Sequence, residues 1–340
     1  MLPVSPTYTQ SAALDSLGVF LQSELTRLDP IVHAPLYACT WSRDVPARTD
    51  VGVGNDGSAF LKSAFASVGG THNMGLNWIS SSTTTVPAVN VDMQRVAFQL
   101  IEWGNVIQFS YRQLEESKAL GRPIDVLQLQ GLNMKHQMDV DHATYIGNSA
   151  IQNSYGLLNC PDSLVTQQTS GNTFASLIQN QNPHAVQEAI LTLQANVWRQ
   201  TGYSVCPNTL LLPPEVYNLL NTTVSSAGTQ SIMEYLKVNN SYTEQSGKRL
   251  DIYPVKWLCS LDAQTGGSNQ FESKDWLNNG GKGRAVFYHR SEDFVRMPMT
   301  PLLKTPITYM DMWMRVGYWG LVGHIEIVYP EAVGYLDGVS

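Results

Sequence analysis

Histidines and carboxylates gather at one place in this 340-residue chain: His136, Asp139, Asp141 and His142. A metal site on one helix face uses ligands four residues apart. His136 and His142 are six apart, and at about 100° per residue their side chains diverge. The spacing predicts a polar helix face, possible as a contact between subunits, rather than a metal centre. Gly52, Gly54 and Gly57 match the GxGxxG pattern. A dinucleotide site also needs a buried strand before it, a helix after it and an acid about 20 residues on. Residues 46–51 form no such strand, and no acid lies between Asp56 and Asp92, so a flexible loop is expected. Adjacent Glu115 and Glu116 point in different directions on a helix and do not pair for acid–base work. No GxSxG elbow occurs, and the seven histidines are scattered. No catalytic, cofactor-binding or metal-ligating residue is assigned, and no cofactor is expected.

Composition narrows the class. Charged residues are 14% of the chain and hydrophobic residues 43%, against about 25% charged in ordinary globular chains. Such a chain either buries surface against neighbours or carries a large uncharged polar surface. The net charge is −7, and no Lys/Arg run exceeds Lys248 and Arg249. Direct nucleic-acid binding, which calls for a basic patch, is not expected. Cys39, Cys160, Cys206 and Cys259 are widely and irregularly spaced, which disfavours zinc and suits free thiols in a reducing compartment. Neither a secretory signal nor a run of about 20 apolar residues is present, so no membrane association is expected.

The elements that must position these residues read as mixed α+β. Leu14, Leu17, Leu21, Leu25 and Leu28 recur at near-helical spacing and stop at Pro30. Residues 31–95 read as irregular, with residues 78–86 as one arm of a hairpin that a neighbour could cover. A strand-like run follows over 96–103, another over 106–111, and a short helix over 113–120. Pro123 then opens a helix of roughly 24 residues, about 36 Å long, ended by Gly147 and Asn148. Residues 161–175 read as a loop. Asn182 and Pro183 start a helix with Val186, Ile190, Leu193 and Val197 on one face. Strands are expected over 209–212, 250–255 and 285–289, helices over 215–220 and 231–236, a Gly/Ser/Asn-rich loop over 262–283, and one or two strands over 309–329. Met297, Met299, Met310, Met312 and Met314, with their aromatic neighbours, read as core, although methionine also suits surfaces that repack on binding.

Several of these residues carry a resemblance. They are Leu114 and Glu115 with Gly121, Arg122 and Pro123 before the long helix, and Tyr145 and Gly147 with residues 155–159 (Tyr-Gly-Leu-Leu-Asn) after it. Residues 209–217 and 232–236 add to it. In this order they resemble the major capsid proteins of tailed double-stranded DNA bacteriophages, which share the shell fold first described for the Hong Kong phage. The resemblance implies an α+β fold with an N-terminal arm (1–40), an extended loop (41–95) and a peripheral domain with a long spine helix (96–155). It further implies an axial domain (156–300) and return strands of the peripheral domain (301–340). It implies a non-enzymatic virion subunit, assembled in the host cytoplasm, that builds hexamers and pentamers of an icosahedral shell around packaged DNA. No charged helical scaffolding segment precedes the arm, so a separate scaffolding protein is implied, with portal and decoration proteins as further partners. Lys62 falls in the implied loop and is read as an ordinary surface lysine rather than a cross-linking one. An encapsulin-like compartment shell and an enzyme of unknown class are the rival readings.

Overall fold

The computed structural model describes residues 37–67, 89–120, 124–148, 151, 154–161, 164–180, 182–223, 230–260 and 276–340. The expected leucine-striped helix at 14–28 and the hairpin arm at 78–86 lie outside these residues.

A four-residue helix α1 (Trp41–Asp44) leads into β1 (Ala47–Arg48), β2 (Gly57–Ser67) and the 22-residue β3 (Val89–Ser110). Helix α2 (Tyr111–Leu120) and the long α3 (Ile124–Tyr145) follow. Next come β4 (Thr166–Thr169), α4 (Phe174–Gln179), α5 (Pro183–Gln200), β5 (Thr209–Leu212) and α6 (Pro214–Thr222). They are followed by α7 (Ile232–Val238), α8 (Ser241–Ser246), β6 (Asp251–Pro254) and β7 (Arg284–Tyr288). The chain closes with β8 (Val295–Pro298), β9 (Leu303–Lys304), β10 (Thr308–Met310), β11 (Trp313–Gly323), β12 (Glu326–Ile327) and β13 (Val333–Asp337).

One five-stranded sheet has the order β4-β13-β7-β5-β6. Its three central strands, β13, β7 and β5, are buried on both faces, which is why they read as largely apolar runs instead of alternating ones. Leu211, Val286, Tyr288, Val333 and Tyr335 point into a core shared with Trp41, Val140, Tyr145 and Trp257. Leu210, Leu212, Ala285, Phe287 and Leu336 point the other way, onto Val186, Ile190, Leu193 and Val197 of α5 and onto α6 and α7. Helix α5 starts where expected: the Asn182 side chain accepts from Ala185 N–H, and Pro183 fills the first turn, where its missing N–H costs nothing.

The second sheet has β10-β11-β3-β2 in order, with β9 also on β11. Strand β3 changes partners along its length. Residues 89–99 pair antiparallel with β2, and residues 100–110 with β11. The two separate runs expected at 96–103 and 106–111 are thus one continuous strand, roughly 70 Å long at about 3.3 Å per residue. A small three-stranded sheet, β1-β8-β12, sits at the handover.

Helix α1 packs on α3, and β1 pairs with β8. Within residues 301–340, β11 pairs with β3, whereas β13 pairs with β4 and β7. The reason is burial: Tyr335 and Leu336 need apolar cover on opposite faces, which only the doubly covered sheet offers.

Candidate assembly surfaces

The His/Asp cluster on α3 faces its own chain. Asp141 is fully buried. Its Oδ1 accepts the backbone N–H groups of Thr40 (2.9 Å) and Trp41 (3.1 Å). Its Oδ2 accepts Trp257 Nε1 (2.9 Å) and lies 3.3 Å from Lys256 Nζ. The ammonium is destabilised by burial and held charged by Asp141, with a net downward shift of its pKa. Asp139 accepts Trp103 Nε1 at 2.9 Å and Lys135 Nζ at 2.6 Å. His136 is buried with its ring against Trp103, and His142 meets the rings of Trp257 and Trp276 edge-on. The expectation of a polar face open to a subunit contact is corrected: these groups fasten α3 to β3, to α1 and to residues 256–258. Asp44 adds a second fastening. It is fully buried, salt-bridged by Arg43, and takes a hydrogen bond from the Tyr145 hydroxyl.

The turn after α3 completes the helix. The last four carbonyls of a helix lack intrahelical partners. Here Leu157 N–H donates to Thr144 O, Leu158 N–H to Tyr145 O, and Asn159 Nδ2 to Ile146 O, at 2.8–3.1 Å. Gly156 lies so close that a Cβ there would stand 2.1 Å from the Tyr145 carbonyl. The motif therefore acts as a C-terminal cap.

Gly52–Gly57 forms a turn, with Asn55 N–H on Gly52 O at 3.1 Å, and leads into a strand, not a helix. It lacks the helix N-terminus that would face a phosphate. Glu116 pairs with Arg112 on an exposed face of α2 at 2.8 Å, and Glu115 is exposed beside it. Lys62 lies half-buried, its Nζ 5.9 Å from the Tyr329 ring centroid. The methionines divide: Met297 and Met299 are core, whereas Met310 and Met312 are exposed, against the expectation that all were core.

The unsatisfied surfaces lie at the two ends of β3. At one end β2 and residues 89–99 of β3 form a two-stranded ribbon. Successive side chains of a strand point to opposite faces, and residues 91–95 are all exposed. Leu61 and Met93 are 68% and 66% exposed and Val91 is exposed as well. Among the described residues neither face of this stretch is covered. At the other end the β10–β11 hairpin turns through Asp311 (φ 50°), pairing Met310 with Trp313. Its tip exposes Ile307, Tyr309, Met310, Met312 and Trp313 together. Contiguous exposed apolar patches of this kind mark interaction sites.

A polar node anchors the ribbon's base. The fully buried Glu326 accepts Arg296 Nε at 2.5 Å, Arg48 Nη1 at 3.2 Å and the hydroxyl of Ser58 in β2. Sequence reasoning missed both strand β2 and this node. Ser58 and Glu326 are 268 positions apart, and nothing local signals their meeting. An uncovered ribbon also lacks the apolar/polar alternation by which half-buried strands are recognised.

A long strand handing over from a free-standing ribbon to a body sheet, beside a long helix and a doubly covered second sheet, is the tailed-phage capsid fold. It is shared with solved structures of low sequence identity. The capsid of Myoviridae phage XM1 matches with a TM-score of 0.69 at 14% identity, over 93% of this chain and 97% of that one. The capsid of an empty GTA particle matches with a TM-score of 0.57 at 12% identity, over 97% and 99%. A chain of Mycobacterium phage Ogopogo matches with a TM-score of 0.52 at 13% identity, over 93% and 98%. The family model of the major capsid protein matches residues 75–339. The chain belongs to the major capsid protein family and is a structural subunit of a virion shell built from copies of itself. No curated protein sequence matches it. Among the described residues no helix is long and apolar enough to cross a membrane.

Proposed function

We propose that this subunit assembles into hexamers and pentamers of an icosahedral shell enclosing packaged double-stranded DNA, and that the ribbon and the β10–β11 tip are its principal contacts with neighbours. The observation that carries this reading is the ribbon, whose Leu61, Val91 and Met93 are exposed, with no cover among the described residues. Two strands alone are marginal in water; a neighbouring copy that covers them makes them stable. Heterologous contacts repeated by rotation close into rings, the step on which hexamers and pentamers depend. The net charge of −7 suits a container that encloses DNA without gripping it.

In this reading residues 1–40 are the N-terminal arm and the ribbon is the working part of the extended loop. Helix α3 with the β3/β11 sheet forms the peripheral domain. The five-stranded sheet with α5–α7, closed by β13, forms the axial domain. Assembly takes place in the host cytoplasm with a separate scaffolding protein, and portal and decoration proteins join the shell.

The test is electron microscopy of particles formed on expression, with and without a Leu61→Asp, Met93→Asp double substitution. Closed shells from the natural chain, and soluble unassembled subunits from the variant, are expected. Surface substitutions of this kind leave subunit stability within about 0.5 kcal/mol, so the variant melts at the natural temperature. Closed shells from the variant would overturn the role of the ribbon. Nuclease-protected DNA inside purified virions supports the packaging role, and protein cargo in its place overturns it.

A further inference from the structure

The handover point of β3 is also where His324 sits. The residue lies between β11 and β12 and is 4% exposed. Its ring stacks on Phe98 of the ribbon, with centroids 4.8 Å apart and planes within 6°, and meets Tyr155 edge-on at 4.4 Å. Both ring nitrogens are committed to backbone. Nδ1 faces the Ile325 carbonyl oxygen at 2.5 Å and so carries the proton. Nε2 is then an acceptor, and Tyr155 N–H donates to it at 3.2 Å. The pocket is tight: a Cβ on Gly323 would meet Leu100 at 2.7 Å and Pro298 at 2.8 Å.

We propose that His324 is an acid-operated latch: as the neutral ring it clamps the ribbon's base to the turn after α3, and on protonation it lets that base go. An imidazolium carries a hydrogen on each nitrogen. Its Nε2–H would face the Tyr155 N–H, donor against donor, in a site closed to water. The ring must then leave, and Phe98 loses the surface on which it stacks.

The groups around the ring set how readily this happens. β3 presents the uncharged Phe98 ring and Leu100. The turn after α3 presents the Tyr155 phenol, which burial pushes up to about 12, so it stays uncharged. β12 presents Glu326, whose charge favours the imidazolium, but that carboxylate already holds Arg48 and Arg296. Burial dominates and lowers the pKa of His324, so the latch stays shut at neutral pH and opens only in acid. This reading concerns how the ribbon is attached, and it stands apart from whether the ribbon contacts a neighbour.

The experiment is amide hydrogen exchange, read by mass spectrometry on the full-length unassembled subunit from pH 7.5 to pH 5, with protection taken relative to the intrinsic rate at each pH. The expected result is a loss of protection at the ribbon's base, in peptides covering 57–60 and 96–99, on the order of tenfold per unit of pH once the ring titrates, while residues 209–212 and 284–288 keep theirs. In His324→Phe, which keeps a ring for stacking but cannot titrate, ribbon protection should not change with pH. Unchanged protection in the natural chain, or the same acid loss in the variant, overturns the proposal. Should the variant not fold, exchange of the imidazole C2 hydrogen in the His324 peptide titrates the ring in the natural chain. A midpoint coinciding with ribbon release supports the latch, and a midpoint apart from it overturns the latch.

Discussion

At the residue scale the buried ion pairs have the largest expected effects. Arg284 and Asp337 are almost fully buried and pair through two contacts, Nε to Oδ1 at 2.6 Å and Nη2 to Oδ2 at 2.9 Å. Arg284 Nη1 also donates to Leu158 O at 2.7 Å, and the guanidinium stacks on Tyr335. Removing one partner leaves a buried charge without its counter-ion, which costs about 3–5 kcal/mol, whereas replacing both with apolar groups is often near neutral. Asp337→Leu alone should therefore lower the denaturant midpoint sharply, and Arg284→Met with Asp337→Leu should recover most of the loss. Equal losses in the single and double variants would show that the pair does not act as a unit. Asp141 holds four donors from two separate segments, so Asp141→Ala should match the single-partner loss. Its position on α3 was visible in the sequence; its partners, 100 to 116 positions away, were not.

At the element scale the long helix and its cap were legible and the ribbon was not. Proline and glycine bracket α3, and residues 155–159 carry its terminal hydrogen bonds, all within one local stretch. Gly156→Ala should place a methyl group against the Tyr145 carbonyl and cost more than the roughly 1–3 kcal/mol of ordinary overpacking. A thermal melt of the unassembled subunit reads this directly, and an unchanged melting temperature would show that the turn can move aside. Strand β2 reads as irregular because its inward side is only partly covered and is polar at Ser58 and Lys62, so it carries no run of apolar residues at alternate positions. Strand β4 is likewise hidden in the sequence: its residues Thr166–Thr169 are polar and are placed by parallel pairing with β13 and by side-chain bonds to Gln200 and Asp337. The β10–β11 tip shows the opposite error. Its methionines and aromatics look like core, and the hairpin's extension past the last pair of β3, Ser110 with Trp313, leaves them exposed. Met312→Ser with Trp313→Ser should leave the melting temperature within a few degrees and reduce the yield of closed shells seen by microscopy.

At the scale of the whole molecule the buried histidines give stability a pH dependence. Burial lowers the pKa of His136, against an opposing pull from Asp139, and that of His324. A histidine kept neutral in the folded chain binds fewer protons there than when unfolded. Stability therefore rises with pH, and their contribution is complete above the unfolded value of about 6.5 and lost as pH falls below it. Denaturation of the unassembled subunit should show the midpoint dropping from pH 7 to pH 5, by less in a His136→Gln, His324→Phe variant than in the natural chain. Parallel pH profiles for the two would remove both histidines from the account.

Local chemistry is what the sequence settled by itself: where helices start and stop, which runs are apolar on both sides, and the order of segments that carries the family resemblance. Those features depend on neighbours within a few positions, so they are written in consecutive residues. Tertiary structure alone decided that the His/Asp face of α3 turns inward, that β13 closes the five-stranded sheet, and that Ser58, Phe98, His324 and Glu326 meet at one junction. These outcomes depend on which distant groups can satisfy a buried charge or cover an apolar face. Hydrogen bonding and exclusion of water select such partners only once the chain has folded.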